Sequence, residues 1–476
     1  MTFNSLPLVA FVVLVYASYR LLPGRYRNTL LLAASYAFYA SFDWRFLGLL
    51  LLSTSTDYYC ARRIAALDAK DARRRFLAVS LVVNLGVLGV FKYFNFFLAS
   101  AEDVLRLVGL DPPAAALRLV LPVGISFYTF KTISYTVDVY RKRLKPSTRF
   151  SEYALFVAFF PTLVAGPIDR AGSLLKQIQS PRAARWTDVP EAFALFCWGL
   201  FKKVFVADNL LAVTNAVFSN PGPHTGPAVV AALYAYAFQV YCDFSGYSDM
   251  ARGIARLFGY EVMNNFERPL FATSLQDLWN RWHISLTSWI RDYIYYPLAL
   301  TKVLGRRLDV RVLTIVTFVI MGLWHGAAWN FVAWGAYHGS LLSLAIMLKP
   351  WMNRAAGGWT PRMSRWRSAL KPILLFHLFA LGCLLFRAQS MGQVVSLAFD
   401  LTRGYSQLAP VLPTIARVLL MFLPVLVFEY LQGQRQKDAT FVLGYPRVLR
   451  YAMFSAGLYL VAMHGAKTES FVYFQF

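Results

Sequence analysis

Apolar residues along this chain gather in long runs instead of alternating with polar ones. A helix needs about 20 consecutive apolar residues to cross a bilayer. Runs of that order lie near 3–22, 76–99, 118–140, 228–258, 370–388, 411–432 and 449–465, and 312–348 is long enough for two. The region 28–61 holds two shorter runs split by Asp43, Trp44 and Arg45, and 191–219 is apolar but carries Lys202, Lys203 and Asp208. The segment 151–168 ends in Leu163, Val164, Ala165, Gly166 and Pro167, where glycine and proline break a helix. Irregular backbone at membrane depth survives only when buried in protein, so a re-entrant piece is expected there. The pattern predicts an all-α polytopic membrane protein of about eleven transmembrane helices plus re-entrant or in-plane segments. No repeat, linker or soluble domain interrupts it, so 1–476 reads as a single integral membrane domain.

Composition agrees: 58% of the residues are hydrophobic and 15% charged, against roughly a quarter charged in a typical soluble domain. That excludes both a soluble globule, which lacks the polar residues to cover itself, and a disordered chain. The net charge of +24 raises nucleic acid as a partner. The basic residues, however, sit in short clusters between apolar runs, as in cytoplasmic loops of membrane proteins. They are Arg20, Arg25 and Arg27; Arg62, Arg63, Lys70 and Arg73 to Arg75; Arg141 to Arg149; Lys302 to Arg311; and Lys349 to Lys371. The alternate loops 219–227 and 391–410 carry almost none. Membrane lipid is therefore the partner, not nucleic acid, and the alternation places both termini outside. Residues 1–20 lack a basic start and a small-residue cleavage signal, and read as an uncleaved first span. Cys60, Cys197, Cys242 and Cys383 lie in apolar context and read as buried thiols. No P-loop, H-E-x-x-H, G-x-S-x-G or D-x-D motif is present, and no metal site is expected.

Three segments can carry chemistry. In Gln276–Pro297, Trp279, Trp282, His283, Leu286, Ile290 and Tyr293 share one face if the segment is a single helix. It is too polar to span and too aromatic for water, so it lies in the interface or lines a cavity. An amphipathic surface helix with His283 as a packing residue gives the same pattern. In Val319–Ser340, His325 sits between Gly322 and Gly326 inside an apolar stretch. A histidine at membrane depth is a functional candidate, and burial keeps it neutral and able to accept a proton. Helix packing through the small residues is the competing account. His338 lies ~20 Å further along an unbroken helix and nearly opposite, so it faces away. In Tyr241–Tyr260, Gly246 is a possible kink, Asp243 follows an apolar run and Asp249 can pair with Arg252. Arg252 and Arg256, with Arg268 and Arg281, can form a basic mouth for a phosphorylated donor; cytoplasmic loop charge accounts for them equally well.

The chain reads PVGISFYTFKTISYTVDVYR at 122–141, FFPTLVAGPIDR at 159–170, GLFKKVFVADNL at 199–210 and CDFSGYSDMARGIARLFGY at 242–260. It continues with WNRWHISLTSWIRDYIYYPL at 279–298, GLWHGAAWNFVAWGAYHG at 322–339 and a closing FVYFQF. Together and in this order these resemble the membrane-bound O-acyltransferase superfamily in its bacterial polysaccharide branch. The resemblance implies a ring of helices around a central funnel, with the donor entering from the cytoplasm. It implies that His325, in GLWHG, is the catalytic histidine. It implies that His283, in WNRWHIS, occupies the second signature position, which is Asn in many eukaryotic members. Trp279, Asn280, Arg281, Trp282, Trp324, Asp243, Arg252 and Arg256 are then candidates for binding donor or substrate. No bound cofactor is implied; the donor is a thioester, acetyl-CoA or an acyl carrier. The acceptor hydroxyl lies outside a bacterial cytoplasmic (inner) membrane, on a polysaccharide or a periplasmic acyltransferase partner protein. Alginate, cellulose, another exopolysaccharide and peptidoglycan all suit that branch.

Two other classes share the hydropathy: a multi-pass transporter or flippase of an activated sugar, lipid or acyl group, and a non-catalytic scaffold. Broken helices and intramembrane charge fit transport, but no internal symmetry between halves supports it.

Overall fold

Local sequence sets many of the helix boundaries. Ser274 Oγ accepts the Asp277 N–H at 3.0 Å and starts a short helix, while Asp309 and Ser390 cap two others in the same way. In the computed structural model the described residues are 3–110, 119–181, 184–220, 222–303, 305–356, 361–435 and 438–466. The closing FVYFQF and the C-terminus lie outside them. The described chain is all-α apart from a two-stranded hairpin, β1 (Lys302–Val303) with β2 (Arg306–Arg307). It divides into two compact units, Met1–Ala192 with Ala251–Met263, and Phe193–Met250 with Asn264–Phe476.

The first unit contains α1 (Leu6–Leu21), α2 (Gly24–Asp43), α3 (Leu47–Ala66), α4 (Lys70–Leu88), α5 (Phe94–Leu107), α6 (Ile125–Tyr140), α7 (Phe150–Ala158), α8 (Phe160–Leu163) and α9 (Lys176–Gln179). A π-turn at Gly89–Tyr93 joins α4 to α5 as one helical rod. Asp57 of α3 is fully buried and accepts hydrogen bonds from Ser80 and from Asn84 Nδ2, the latter at 2.8 Å. Asn84 Oδ1 in turn accepts from Ser53 and from Thr132 Oγ1 of α6. Polar groups held in an apolar interior need such partners, and here they tie three helices together. The segment expected to break at glycine and proline forms α7, a break at Phe159, α8 and a non-helical run to Arg170, with residues 153–169 all buried. Gly124, at φ +76°, packs where an added Cβ would come 2.8 Å from the Leu163 carbonyl.

The second unit contains α10 (Asp188–Leu200, entered from the first), α11 (Asp208–Phe218), α12 (Gly226–Leu257, shared), α13 (Leu275–Arg281), α14 (Ile284–Ile290), α15 (Tyr296–Leu300), α16 (Val310–His325), α17 (Trp329–Ala356), α18 (Pro361–Arg387), α19 (Met391–Asp400), α20 (Leu412–Arg435) and α21 (Arg447–His464). A π-helical stretch, Phe201–Ala207, presents Lys202 and Lys203 to α12. Lys202 Nζ pairs with Asp249 at 2.8 Å, and Lys203 Nζ pairs with Asp208 at 2.7 Å and Asp243 at 2.8 Å. The charges inside the 191–219 run are therefore internal ion pairs. α12 runs through Gly246 without interruption. That glycine is the place where α10 comes close: a Cβ on Gly246 would meet the Gly199 carbonyl at 2.7 Å.

Five helices among the described residues are long and apolar enough to cross a membrane: Lys70–Leu107, Gly226–Leu257, Trp329–Met352, Ala369–Arg387 and Ala409–Arg435. Leu6–Leu21 and Val310–His325 are shorter apolar helices. In its apolar 18-residue window the Gly226–Leu257 span is 83% buried inside protein, whereas the corresponding windows of Lys70–Leu107 and Ala409–Arg435 are 17% buried. The first is an interior helix; the other two leave broad apolar faces, such as Val82, Leu420 and Leu423, uncovered by protein.

Candidate active site

The segment 276–297 is not one helix. It breaks at His283, which takes the left-handed conformation (φ 43°, ψ 52°) between α13 and α14. Such a backbone is unusual for a residue with a side chain and persists only where its surroundings enforce it. The enforcing residue is Asn265, which is fully buried. Its carbonyl accepts the Ile284 N–H at 2.9 Å and its side-chain Oδ1 accepts the Ser285 N–H at 3.3 Å. Its Nδ2 donates to Ser248 Oγ of α12 at 3.1 Å, which anchors the break to the interior helix. The left-handed turn swings the His283 ring inward, against Phe244 at 4.4 Å between ring centroids. His283 is 1% exposed and lies outside the candidate spans. Burial holds its ring well below the usual histidine pKa, and nearby His325 acts in the same direction, so it is neutral at pH 7.

His325 is the last residue of α16 and is 5% exposed. The chain turns over 326–328 and returns as α17, packed along α16. Glycines make that packing possible. A Cβ on Gly322 would strike the Phe331 carbonyl, one on Gly335 the Phe318 carbonyl, and one on Gly326 the Phe331 ring. The helix-packing account thus explains these glycines, and what it leaves at the turn is the imidazole. The His325 ring lies 5.0 Å from Trp324, 5.2 Å from Trp334, 5.1 Å from Phe386 and 6.3 Å from His283. Two buried imidazoles thus face each other inside an aromatic wall. Among the described residues no group of three His, Cys, Asp or Glu side chains gathers as a metal site.

Of the other candidates, Trp279, Trp282 and Trp324 are buried; Trp324 lies 5.9 Å from His283, whereas Trp279 stands against Trp334 at 5.8 Å. Asp243 lies one residue from Phe244 on α12, but its carboxylate faces Lys203. Asn280 is exposed, and Arg281 is engaged by Asp277 at 2.7 Å on the same helix. Arg268 packs against Gly433. Arg252 and Arg256 belong to the first unit, where Arg256 pairs with Glu191 at 2.9 Å. The charges of Arg256 and Arg281 are therefore matched locally. His338 does not face away from His325. The helix assumed for that placement is interrupted at 326–328, and the His338 ring stands 4.9 Å from the same Trp334 that touches His325. Sequence reasoning missed Asn265, Trp334 and Phe386, since none stands out by periodicity; Trp334 alone lay in a segment already singled out.

A sequence model of MBOAT, the membrane-bound O-acyltransferase family, matches residues 45–388, a stretch that includes both histidines. A probable alginate O-acetylase of Azotobacter vinelandii is 40% identical over 385 residues, covering 81% of this chain and 74% of that protein. A peptidoglycan O-acetyltransferase of Helicobacter pylori is 33% identical, covering 72% of this chain and 70% of its own. A teichoic acid D-alanyltransferase of Bacillus subtilis is 28% identical over 56% of this chain and 69% of its own.

Proposed function

Since this chain belongs to the membrane-bound O-acyltransferase family, we propose that it moves an acetyl group from a cytoplasmic thioester to a hydroxyl on the outer side of a bacterial inner membrane. That it is a membrane O-acyltransferase follows from the family; donor, acceptor and direction are the proposal. The observation that supports it most is the buried pair His283 and His325, 6.3 Å apart between ring centroids. A hydroxyl between two such rings meets a neutral base on one side and an N–H donor on the other. His325 takes the hydroxyl proton as the oxygen attacks the thioester carbonyl carbon. His283 donates a hydrogen bond to the developing oxyanion. The intermediate collapses, the C–S bond breaks, and the proton passes from His325 to the departing thiolate.

The two faces of a bilayer are about 30 Å apart, so donor and acceptor must meet inside the protein. In this reading 1–476 forms one integral membrane domain of about eleven crossings around a central funnel. Acetyl-CoA or an acyl-carrier thioester enters from the basic side. The likeness to alginate O-acetylases favours an exopolysaccharide hydroxyl as final acceptor, reached through a periplasmic acyltransferase partner.

Purified full-length protein in lipid nanodiscs should release free thiol from acetyl-CoA or from an acetyl-loaded carrier protein. No turnover of either thioester would exclude the reading. Orientation has its own test, in a background with the four native cysteines removed. Asn220→Cys should react with an impermeant thiol reagent in intact spheroplasts, and Asp68→Cys should react only after lysis. The reverse pattern would invert the topology.

A further inference from the structure

The aromatic wall beyond His325 holds polar atoms that the transfer step does not use. Both ring nitrogens of His338 and Nε1 of Trp279 are buried and have no hydrogen-bond partner among the described residues. His338 is 1% exposed and Trp279 4%. Their rings meet edge to face at 5.1 Å, and both contact Trp334, which also touches His325. Gly382 of α18 packs directly on His338 Nε2, where any Cβ would collide with that nitrogen. A buried donor or acceptor left unsatisfied is costly, so such a cluster calls for a ligand group that pairs with it. We propose that His338 and Trp279 form a subsite for a secondary amide in the arm of the thioester donor, next to the catalytic pair.

The chemistry selects the group. A neutral imidazole offers one donor and one acceptor, and an indole offers one donor. An amide carbonyl oxygen accepts from Trp279 Nε1, and the amide N–H donates to an imidazole nitrogen. Trp334, Phe318 and Phe379 enclose the site, and none carries a charge, so a neutral group fits where a phosphate does not. Position selects the donor over the acceptor. Gly335 and Gly339 of α17 pack on Phe318 and Ile315 of α16, which sets His338 about two turns back from His325 along α16. That is the direction of the basic segment at Arg306 and Arg307 and of Lys349. A thioester arriving from the basic side passes His338 before its carbonyl reaches His325. The assignment rests on the thioester reading above.

The test compares two donors in nanodisc-embedded full-length protein: acetyl-CoA, and an acetyl thioester of a simple alkanethiol that has no amide. His338→Leu and Trp279→Phe should each raise KM for acetyl-CoA by about tenfold with kcat little changed, the signature of lost binding common to ground and transition states. Neither should alter KM for the amide-free thioester. His338→Gln, which keeps a donor and an acceptor, should recover most of the loss. Should His338→Leu fail to accumulate, Trp279→Phe carries the same comparison with a ring retained. Equal changes on both donors, or no change on either, would overturn the subsite and leave acyl transfer standing. A wild-type protein that turns over no thioester would overturn both.

Discussion

His325→Ala should lower acyl transfer by about 10²–10⁴-fold, the usual worth of a general base, while the protein still inserts and still binds donor. The ring sits at the end of α16 in a pocket made by Trp324, Trp334 and Phe386, so its loss removes the base without touching the glycine contacts between α16 and α17. His325→Gln keeps hydrogen bonding but cannot take up a proton, and should be nearly as inactive. His283→Ala should also be impaired, for two separable reasons. It removes the second imidazole, and it puts a Cβ-bearing residue with no compensating polar group at φ 43°. Asparagine enters the left-handed region more readily than most residues and can donate a hydrogen bond. His283→Asn should therefore be the milder change, which fits the asparagine at this signature position in many eukaryotic members of the superfamily. Initial rates at matched protein levels measure all four variants. Transfer by His325→Ala within about tenfold of wild type would be too fast for loss of a general base and would make His283 the next candidate.

Lys203→Met should be the most damaging change to stability. Lys203 Nζ lies between Asp208 and Asp243, and both carboxylates are almost fully buried. Removing the cation leaves two like charges facing each other without it, a loss of about 3–5 kcal/mol for a broken buried pair. The variant should unfold at a clearly lower temperature or accumulate poorly. Adding Asp208→Asn and Asp243→Asn to Lys203→Met should restore much of the loss, since an uncharged cluster carries no unmatched charge. Thermal unfolding in detergent, followed by tryptophan fluorescence, reads this directly. An unchanged transition for Lys203→Met alone would mean that water or lipid headgroups reach the site and replace the lysine.

The residues of the candidate site were legible in part. His325 stands out because an ionisable group in an apolar run is costly and needs a reason. His283 stands out only through its motif, because on an assumed continuous helix it is one more member of an aromatic face. Asn265 was invisible: MNNFERP at 263–269 has neither periodicity nor a recognised motif, yet its backbone and side chain hold the break at His283. His338 was misplaced for the same kind of reason, since a helix drawn straight through 326–328 turns it away from His325.

What the sequence determined by itself is the medium and the secondary structure. In lipid each spanning segment must satisfy its own backbone, so a long apolar run can only be a helix, and local composition suffices to find it. Caps and basic loops add boundaries and an expected orientation for the same local reason. Which helices lie inside, and where they break, was decided only by tertiary contact. Gly226–Leu257 and Ala409–Arg435 are both apolar, yet the first is largely buried and the second faces outward. The break at His283 exists because Asn265 and Ser248 supply its hydrogen bonds, and the α16–α17 turn packs because Gly322, Gly326 and Gly335 meet Phe331 and Phe318. Hydropathy sums over neighbours in sequence, whereas these partners are distant in the chain and make contact only once the helices have packed.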